Sequence, residues 1–196
     1  MQSRRTNPER AEATRAALLD AARALFIEKG YAETSTPEIV DAAKVTRGAL
    51  YHHFDDKRDL FRAVLEREAR AVAAEIEAST SSMLPPRDAL LKGSMAYLDA
   101  MSVPGRTRLL LVDGPAVLGA GDIAAIDEAH AARTLREGLE AALGSPKPDF
   151  SLPAMTALLS AAFDRAALAI EAGSDPAAFR SAVIGFIERI VSPTRG

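Results

Sequence analysis

Apolar residues recur with a 3.6-residue period along almost the whole of this 196-residue chain, and no stretch alternates apolar and polar residues over the length of a strand. That property confines the chain to an all-α fold. Alanine strengthens the reading: forty residues are alanine, whose side chain loses no rotamer freedom in a helix. Punctuation divides the run into about nine expected helices. Asn7-Pro8 opens the first, whose apolar face (Ala17, Leu18, Ala21, Ala22, Leu25, Phe26) is closed by Gly30. Ser35-Thr36-Pro37-Glu38 is a capping box that starts a short helix to about Ala43. Thr46 caps another from Arg47 to about His53, and Asp56, with Asp59 three residues on, opens a longer one to about Ser79. After a break at residues 79–82 and Pro85-Pro86, helices are expected over about 87–101, 105–113, 122–143, 152–172 and 175–191. Pro104-Gly105, Gly114-Pro115, Gly119-Ala-Gly121, Gly144-Ser-Pro146 and Gly173-Ser-Asp-Pro176 separate them.

Composition removes several function classes. With no cysteine, a disulfide scaffold, a thiolate zinc finger and a cysteine nucleophile are all excluded. A net charge of −3 excludes a uniformly basic coat. The polar opening MQSRRTNPER leads into no apolar core with a small-residue cleavage site, so no secretory signal is read. The most apolar stretch, residues 152–170, carries Asp164 and Arg165 near its middle and reads as buried core rather than a membrane span. A cytoplasmic protein with no membrane partner is expected. No HExxH, no glycine-rich phosphate loop after a strand and no convincing carboxylate pair is present, so no enzymatic activity is read. His52 and His53 are adjacent and point about 100° apart on a helix, which does not suit one metal ion; neither a metal nor another cofactor is expected.

Two short helices joined at Ala43-Lys44-Val45-Thr46 have the dimensions of a helix–turn–helix, in which the second helix enters the major groove. Thr46, Arg47 and Gly48 stand at the N-terminus of that second helix, where free N–H groups suit a phosphate or a base-edge acceptor. Tyr51 and His52 lie one turn further on, and Lys57 opens the next helix. Ala49, Leu50 and Phe54 take the opposite face. Gly48, lacking a side chain, permits close approach to a duplex. Residues 1–68 carry 12 basic and 12 acidic side chains, so favourable charge is local: Arg4, Arg5, Arg10 and Arg15, then Lys44, Arg47, Lys57 and Arg58. On pattern alone a pair of solvated bundle helices stays open, as does an interaction adaptor with a degenerate helix–turn–helix.

The run from Ala17-Leu-Leu-Asp-Ala-Ala-Arg-Ala-Leu-Phe26 through Gly30-Tyr31, Thr34-Ser35, Ile39-Val40, Ala43-Lys-Val-Thr-Arg-Gly-Ala-Leu-Tyr-His-His-Phe54, Asp56-Lys57 and Leu60-Phe61 resembles the TetR family of bacterial transcriptional regulators over about residues 10–65. The resemblance implies a three-helix DNA-binding domain over 1–56 and a helical effector-binding and dimerisation domain over 57–196. It implies DNA contacts at Thr36, Thr46, Arg47, Gly48, Tyr51, His52 and Lys57. Arg47 would read a base or clamp a phosphate, Tyr51 and Lys57 would hold phosphates, and His52 either. One position departs from the pattern, since the family usually has glycine where this chain has Lys44. A left-handed backbone there would cost a lysine roughly 1–2 kcal/mol relative to glycine, while adding a cation beside the phosphates. The partners implied are a double-stranded operator DNA, a second copy of the chain and a small-molecule effector, most simply in a repressor.

The C-terminal two-thirds divide by apolar pattern. Over 152–170, one stripe (Met155, Leu159, Ala162, Phe163, Ala166, Ile170) and a second (Leu158, Ala161, Leu168, Ala169, Ala172, with Arg165 among them) give two apolar faces where a surface helix needs one. Phe179, Val183, Phe186, Ile187 and Ile190 make a broad seam on the last helix. The expected dimer face is therefore Leu158, Ala161, Arg165, Phe179, Val183, Phe186, Ile187 and Ile190, in a four-helix interface. The middle helices supply the candidate chamber for an apolar effector: Met95, Leu98, Met101, Leu109, Leu110, Val112, Val117, His130 and Phe163, with Tyr97, Arg108 and Asp113 as further polar anchors. The Gly- and Pro-rich segment 113–121 is either a mobile portal or a turn.

Overall fold

In the computed structural model, which describes residues 7–80, 83–144 and 151–192, Gly30 breaks the first helix where the sequence ends it. Its backbone (φ 83°, ψ 166°) leaves the helical region, which only glycine enters without a Cβ penalty, and a kinked extension carries α1 (Asn7–Glu33) to its end. Then follow α2 (Thr36–Ala42), α3 (Arg47–His53) and α4 (Lys57–Ser79). Their starts are the capping residues read from the sequence: Ser35 and Glu38 form the reciprocal box, the Thr46 hydroxyl accepts from Ala49 N, and the Asp56 carboxylate accepts from Asp59 N. Arg4 and Arg5 lie outside the described residues, as do Ser81 and Ser82 of the first expected break and Ser145-Pro146 of a later one.

These four helices close one small core. Leu18, Ala22, Phe26, Ile39, Leu50, Leu60 and Phe61 are fully buried, and the Phe26 and Phe61 rings meet edge to face at 5.0 Å with Tyr31 completing the cluster. Leu60, Phe61 and Val64 belong to α4, so the head needs the first turns of the helix that the expected boundary at residue 56 assigns to the body.

The body continues with α5 (Pro86–Met101), α6 (Arg106–Arg108), a π-helical turn (Leu109–Asp113), α7 (Gly114–Leu118), α8 (Ala120–Ala129), α9 (Ala131–Leu143), α10 (Leu152–Glu171) and α11 (Pro176–Val191). No strand occurs among the described residues. There the nine expected helices become eleven α-helical segments, for two reasons. Segment 113–121 contains a short helix: Gly114 starts α7 wedged so tightly that an added Cβ would lie 2.8 Å from Ile123 Cδ1 and 3.1 Å from Leu65 Cδ1, and Pro115 occupies a first turn that needs no N–H. The expected 122–143 helix is cut at His130 (φ −129°, ψ −97°) into α8 and α9.

Helices α4, α5, α9 and α10 surround the body core, and α11 lies against α5 and α10. By length and composition α10 could cross a membrane. In the structure it packs on α9, α5, α6 and α11.

Charge joins head to body. Glu68 of α4, 5% exposed, accepts from Arg23 of α1 (2.8 and 3.1 Å) and from Arg106 of α6 (3.0 Å), while Arg106 also donates to Glu75 and the Ala100 carbonyl. A second junction lies nearer the head: Arg58 and Arg62 of α4 both donate to Asp122 of α8, and Arg58 also reaches the Val117 and Leu118 carbonyls.

Candidate nucleic-acid interface and ligand chamber

The turn between α2 and α3 settles where α3 points. Lys44 has φ 56°, the one left-handed non-glycine among the described residues. Lys44 N donates to Asp41 O and Val45 N to Val40 O, both at 3.0 Å, which is the paired hydrogen bonding of a Schellman stop. Val40 and Val45 pack on the core beneath it. The lysine thus adopts the backbone that a glycine would, at a cost in strain. Lys44→Gly is expected to raise stability by about 1 kcal/mol, measured by urea unfolding; an unchanged or lower midpoint would mean that the turn relaxes in solution.

Beyond that stop, α3 presents a clear edge. Lys44, Thr46, Arg47, Gly48, Tyr51 and His52 are not buried, most of them fully on the surface, while Leu50 and Phe54 are buried against the head. The Arg47 guanidinium lies 5.5 Å from the Tyr51 ring centre, and hydrogen bonds from the half-buried Thr36 and from Arg47 hold the Tyr51 phenol below its ordinary pKa. Thr36, Arg47 and Tyr51 therefore form one polar ridge across α2 and α3. Gly48 has a different character. A Cβ there would meet only Thr46 Oγ1, at 3.9 Å, so nothing inside the protein requires a glycine. Lys57 is placed apart from the ridge: its ammonium donates to the Tyr31 and Thr34 carbonyls at 2.9 Å and sits 4.3 Å from the Tyr31 ring centre, tying α4 to the end of α1. At most its third N–H is left for a phosphate. On the far side of α2, Lys29 and the Ser35 cap hold the Glu38 carboxyl down at about 2.

A chamber of about 630 Å³ lies in the body between α4, α5, the π-helical turn, α7–α9 and α10. Its walls include Val72, Met101, Leu110, Ile123 and Ile126. The expected lining is only partly right. Met101 borders this chamber; Phe163 borders a separate cavity of about 310 Å³ and Leu98 one of about 260 Å³. Leu109 is fully packed core, Met95 is half-buried against it, and Val112 is largely exposed. Leu110, expected beside them, does border the chamber, with Leu111 next to it in the π-helical turn. Val117 is half-buried against the core and outside this lining, and its carbonyl accepts from Arg58. His130 sits at the α8–α9 break outside the lining, where burial and then the nearby Arg70 lower its pKa.

Tyr97, one of the expected polar anchors, does face the chamber, and the structure adds groups that sequence reasoning missed. The Tyr97 hydroxyl donates to Asp164 Oδ1 at 2.5 Å, and the Ser160 hydroxyl donates to Asp127 Oδ2 at 3.0 Å. Burial pushes the Asp164 carboxyl up to about 6, reinforced by the charge of Asp127 and opposed by the Tyr97 hydrogen bond. Burial likewise raises Asp127, against the Ser160 and Ala132 hydrogen bonds and His130. Arg108 and Asp113 pair with each other away from this lining.

On the outer face of α10, Leu158 is 66% exposed, with Arg165 exposed on the same side; Ala161, also exposed, stands at the edge of that face and borders the chamber; Phe186 of α11 is 48% exposed. Phe179 and Ile190 pack partly against the protomer's own core. Val183 and Ile187 correct the expectation: both are buried within the protomer and contribute no free surface, because the α11 seam turns inward on α5 and α10.

A helix–turn–helix head on a helical body that holds a chamber is the architecture of a class of regulatory proteins. The chain belongs to the TetR family. The family model for bacterial regulatory proteins of the tetR family matches residues 18–64, and that for the tetracyclin repressor-like C-terminal domain matches residues 87–194. The transcriptional regulator AcrR of Shigella flexneri is 38% identical over 111 residues, 56% of this chain and 51% of that protein. The transcriptional repressor BepR of Brucella suis biovar 1 (strain 1330) is 48% identical over 64 residues, 33% of this chain and 30% of that one. The chain thus spans about half or less of the length of the curated relatives it matches. A solved TetR-family transcriptional regulator from Pectobacterium atrosepticum superposes over 95% of each chain, with a TM-score of 0.67 and 30% identity.

Proposed function

We propose that this chain is a cytoplasmic, homodimeric transcriptional regulator without enzymatic activity: a repressor that binds a near-palindromic operator and is released by an apolar small-molecule effector. The observation that carries the proposal is the edge of α3. Thr46, Arg47, Gly48, Tyr51 and His52 all reach the surface, and the glycine has no role inside the protein. Two copies joined through the outer face of α10 and α11 would offer two such edges to half-sites one helical turn apart. The second head–body junction gives the effector a route to the head. Ile123 and Asp127 of α8 line the chamber, and Asp122 of the same helix holds Arg58 and Arg62 of α4. An effector that prefers one placement of α8 would bias α4, and with it the head, by no more than its own preference between the two states.

Arg47→Ala and Tyr51→Ala should each weaken binding to DNA from upstream of the neighbouring genes by about 10-fold or more at matched salt. Wild-type affinity should fall steeply as salt rises. Equal binding by both variants, or weak binding that salt does not change, would exclude the DNA-reading head and favour an adaptor. Fluorescence anisotropy reads both.

A further inference from the structure

The chamber's dimensions suit a small organic molecule, and its polar groups define which kind. Three carboxylic acids border it: Glu128, exposed and paired with Arg136 at the rim, and, in an otherwise largely apolar wall, Asp127 from α8 and Asp164 from α10. Ser160, the hydroxyl partner of Asp127, is four residues before Asp164 on α10, so both carboxylates gather on one face about a helical turn apart. Their protein partners are the hydroxyls of Ser160 and Tyr97 and the Ala132 N–H, together with a distant influence of His130. Among the described residues, no ammonium or guanidinium forms an ion pair with either. Arg136, the one Lys or Arg among the lining residues, is engaged by Glu128. The chain does supply guanidiniums to an interior carboxylate where it needs them, since Glu68 receives two. A carboxylate left in an apolar wall without a countercharge is costly, and an anionic ligand would add to that cost.

We infer that the effector is an apolar organic cation, an aromatic or aliphatic body bearing an ammonium or amidinium group, whose charge lies between the Asp127 and Asp164 carboxylates. The inference rests on the reading of this chamber as the effector site. The ligand's N–H groups take up the carboxylate lone pairs that the two hydroxyls leave open, and its body fills the space against Val72, Met101, Leu110 and Ile123. Burial holds Asp164 at about 6, low enough for it to be ionised at neutral pH and to attract such a charge.

Three probes of one shape separate the possibilities on the full chain: naphthylmethylammonium, naphthylmethanol and naphthoate, titrated calorimetrically at neutral pH. The ammonium should bind about 10-fold or more tighter than the alcohol, and the carboxylate weakest of all. In Asp164→Asn the ammonium and the alcohol should bind alike, and Asp127→Asn should narrow the gap. Alcohol binding that persists in both variants shows the chamber to be intact, so a lost preference is not a folding defect. If the alcohol equals the ammonium in wild type, or Asp164→Asn keeps the preference, the cationic assignment fails while the chamber stands. If none of the three binds, the chamber reading fails with it; DNA binding by the head is read separately and is untouched by either outcome.

Discussion

Glu68→Gln should lower the stability of the protein by about 3 kcal/mol, the largest effect on folding expected here, because it removes the buried carboxylate on which Arg23 and Arg106 converge and leaves the nearly buried Arg106 only the half-exposed Glu75. Glutamine keeps the shape of glutamate and can still accept one hydrogen bond, but two guanidiniums converge on this carboxylate. Thermal unfolding should show a drop of roughly 10 °C for a chain of this size. The pH dependence identifies the cause. Burial pushes the Glu68 carboxyl up, but Arg23 and Arg106 more than offset it, so its folded pKa lies below the ordinary value. A depressed carboxylate contributes stability that is fully present above the unfolded pKa and lost as pH falls through the folded one. The difference between wild type and Glu68→Gln should therefore be full at neutral pH and close in acid. A change below about 1 kcal/mol at neutral pH would show that the network is open to water in solution, as exposed ion pairs are.

Gly48→Leu should separate folding from recognition. Leucine is favoured over glycine inside a helix by close to ~1 kcal/mol, and the space around residue 48 is open, so the melting temperature should hold or rise. DNA affinity should fall by about 100-fold, equivalent to about 2.8 kcal/mol, since the side chain would stand where a groove wall has to come close. Loss of binding with gain of stability excludes misfolding as the explanation. If Gly48→Leu binds DNA as wild type does, α3 does not enter the groove by this edge.

The head is legible in the sequence because its determinants are local. A serine with a glutamate three residues on, a threonine before Arg47 and an aspartate before Lys57 each place a helix start through hydrogen bonds spanning three residues, and the structure forms all three. The strain at Lys44 is legible for the same reason: a stop two residues after a helix calls for left-handed backbone, whichever residue occupies it. The chamber is not. Asp127 and Asp164 are 37 residues apart in sequence, and each reads as an ordinary polar residue of a solvated helix. Leu109, Leu110 and Val112 are alike in sequence, and only the packing tells that Leu110 borders the chamber while Leu109 is core and Val112 is exposed. Val183 and Ile187 look like Phe186 in sequence, and only the docking of α11 tells which of them face inward.

By itself, then, the amino-acid order determined the all-α class, the starts and stops of the head helices and the outward edge of α3, since each depends on interactions within a few residues along the chain. Tertiary structure alone decided that two distant acids share one apolar chamber, that Lys57 secures α1 rather than standing free, and that Glu68 joins head to body. These depend on how helices far apart in sequence come together, and the period of a single helix carries no record of its neighbours.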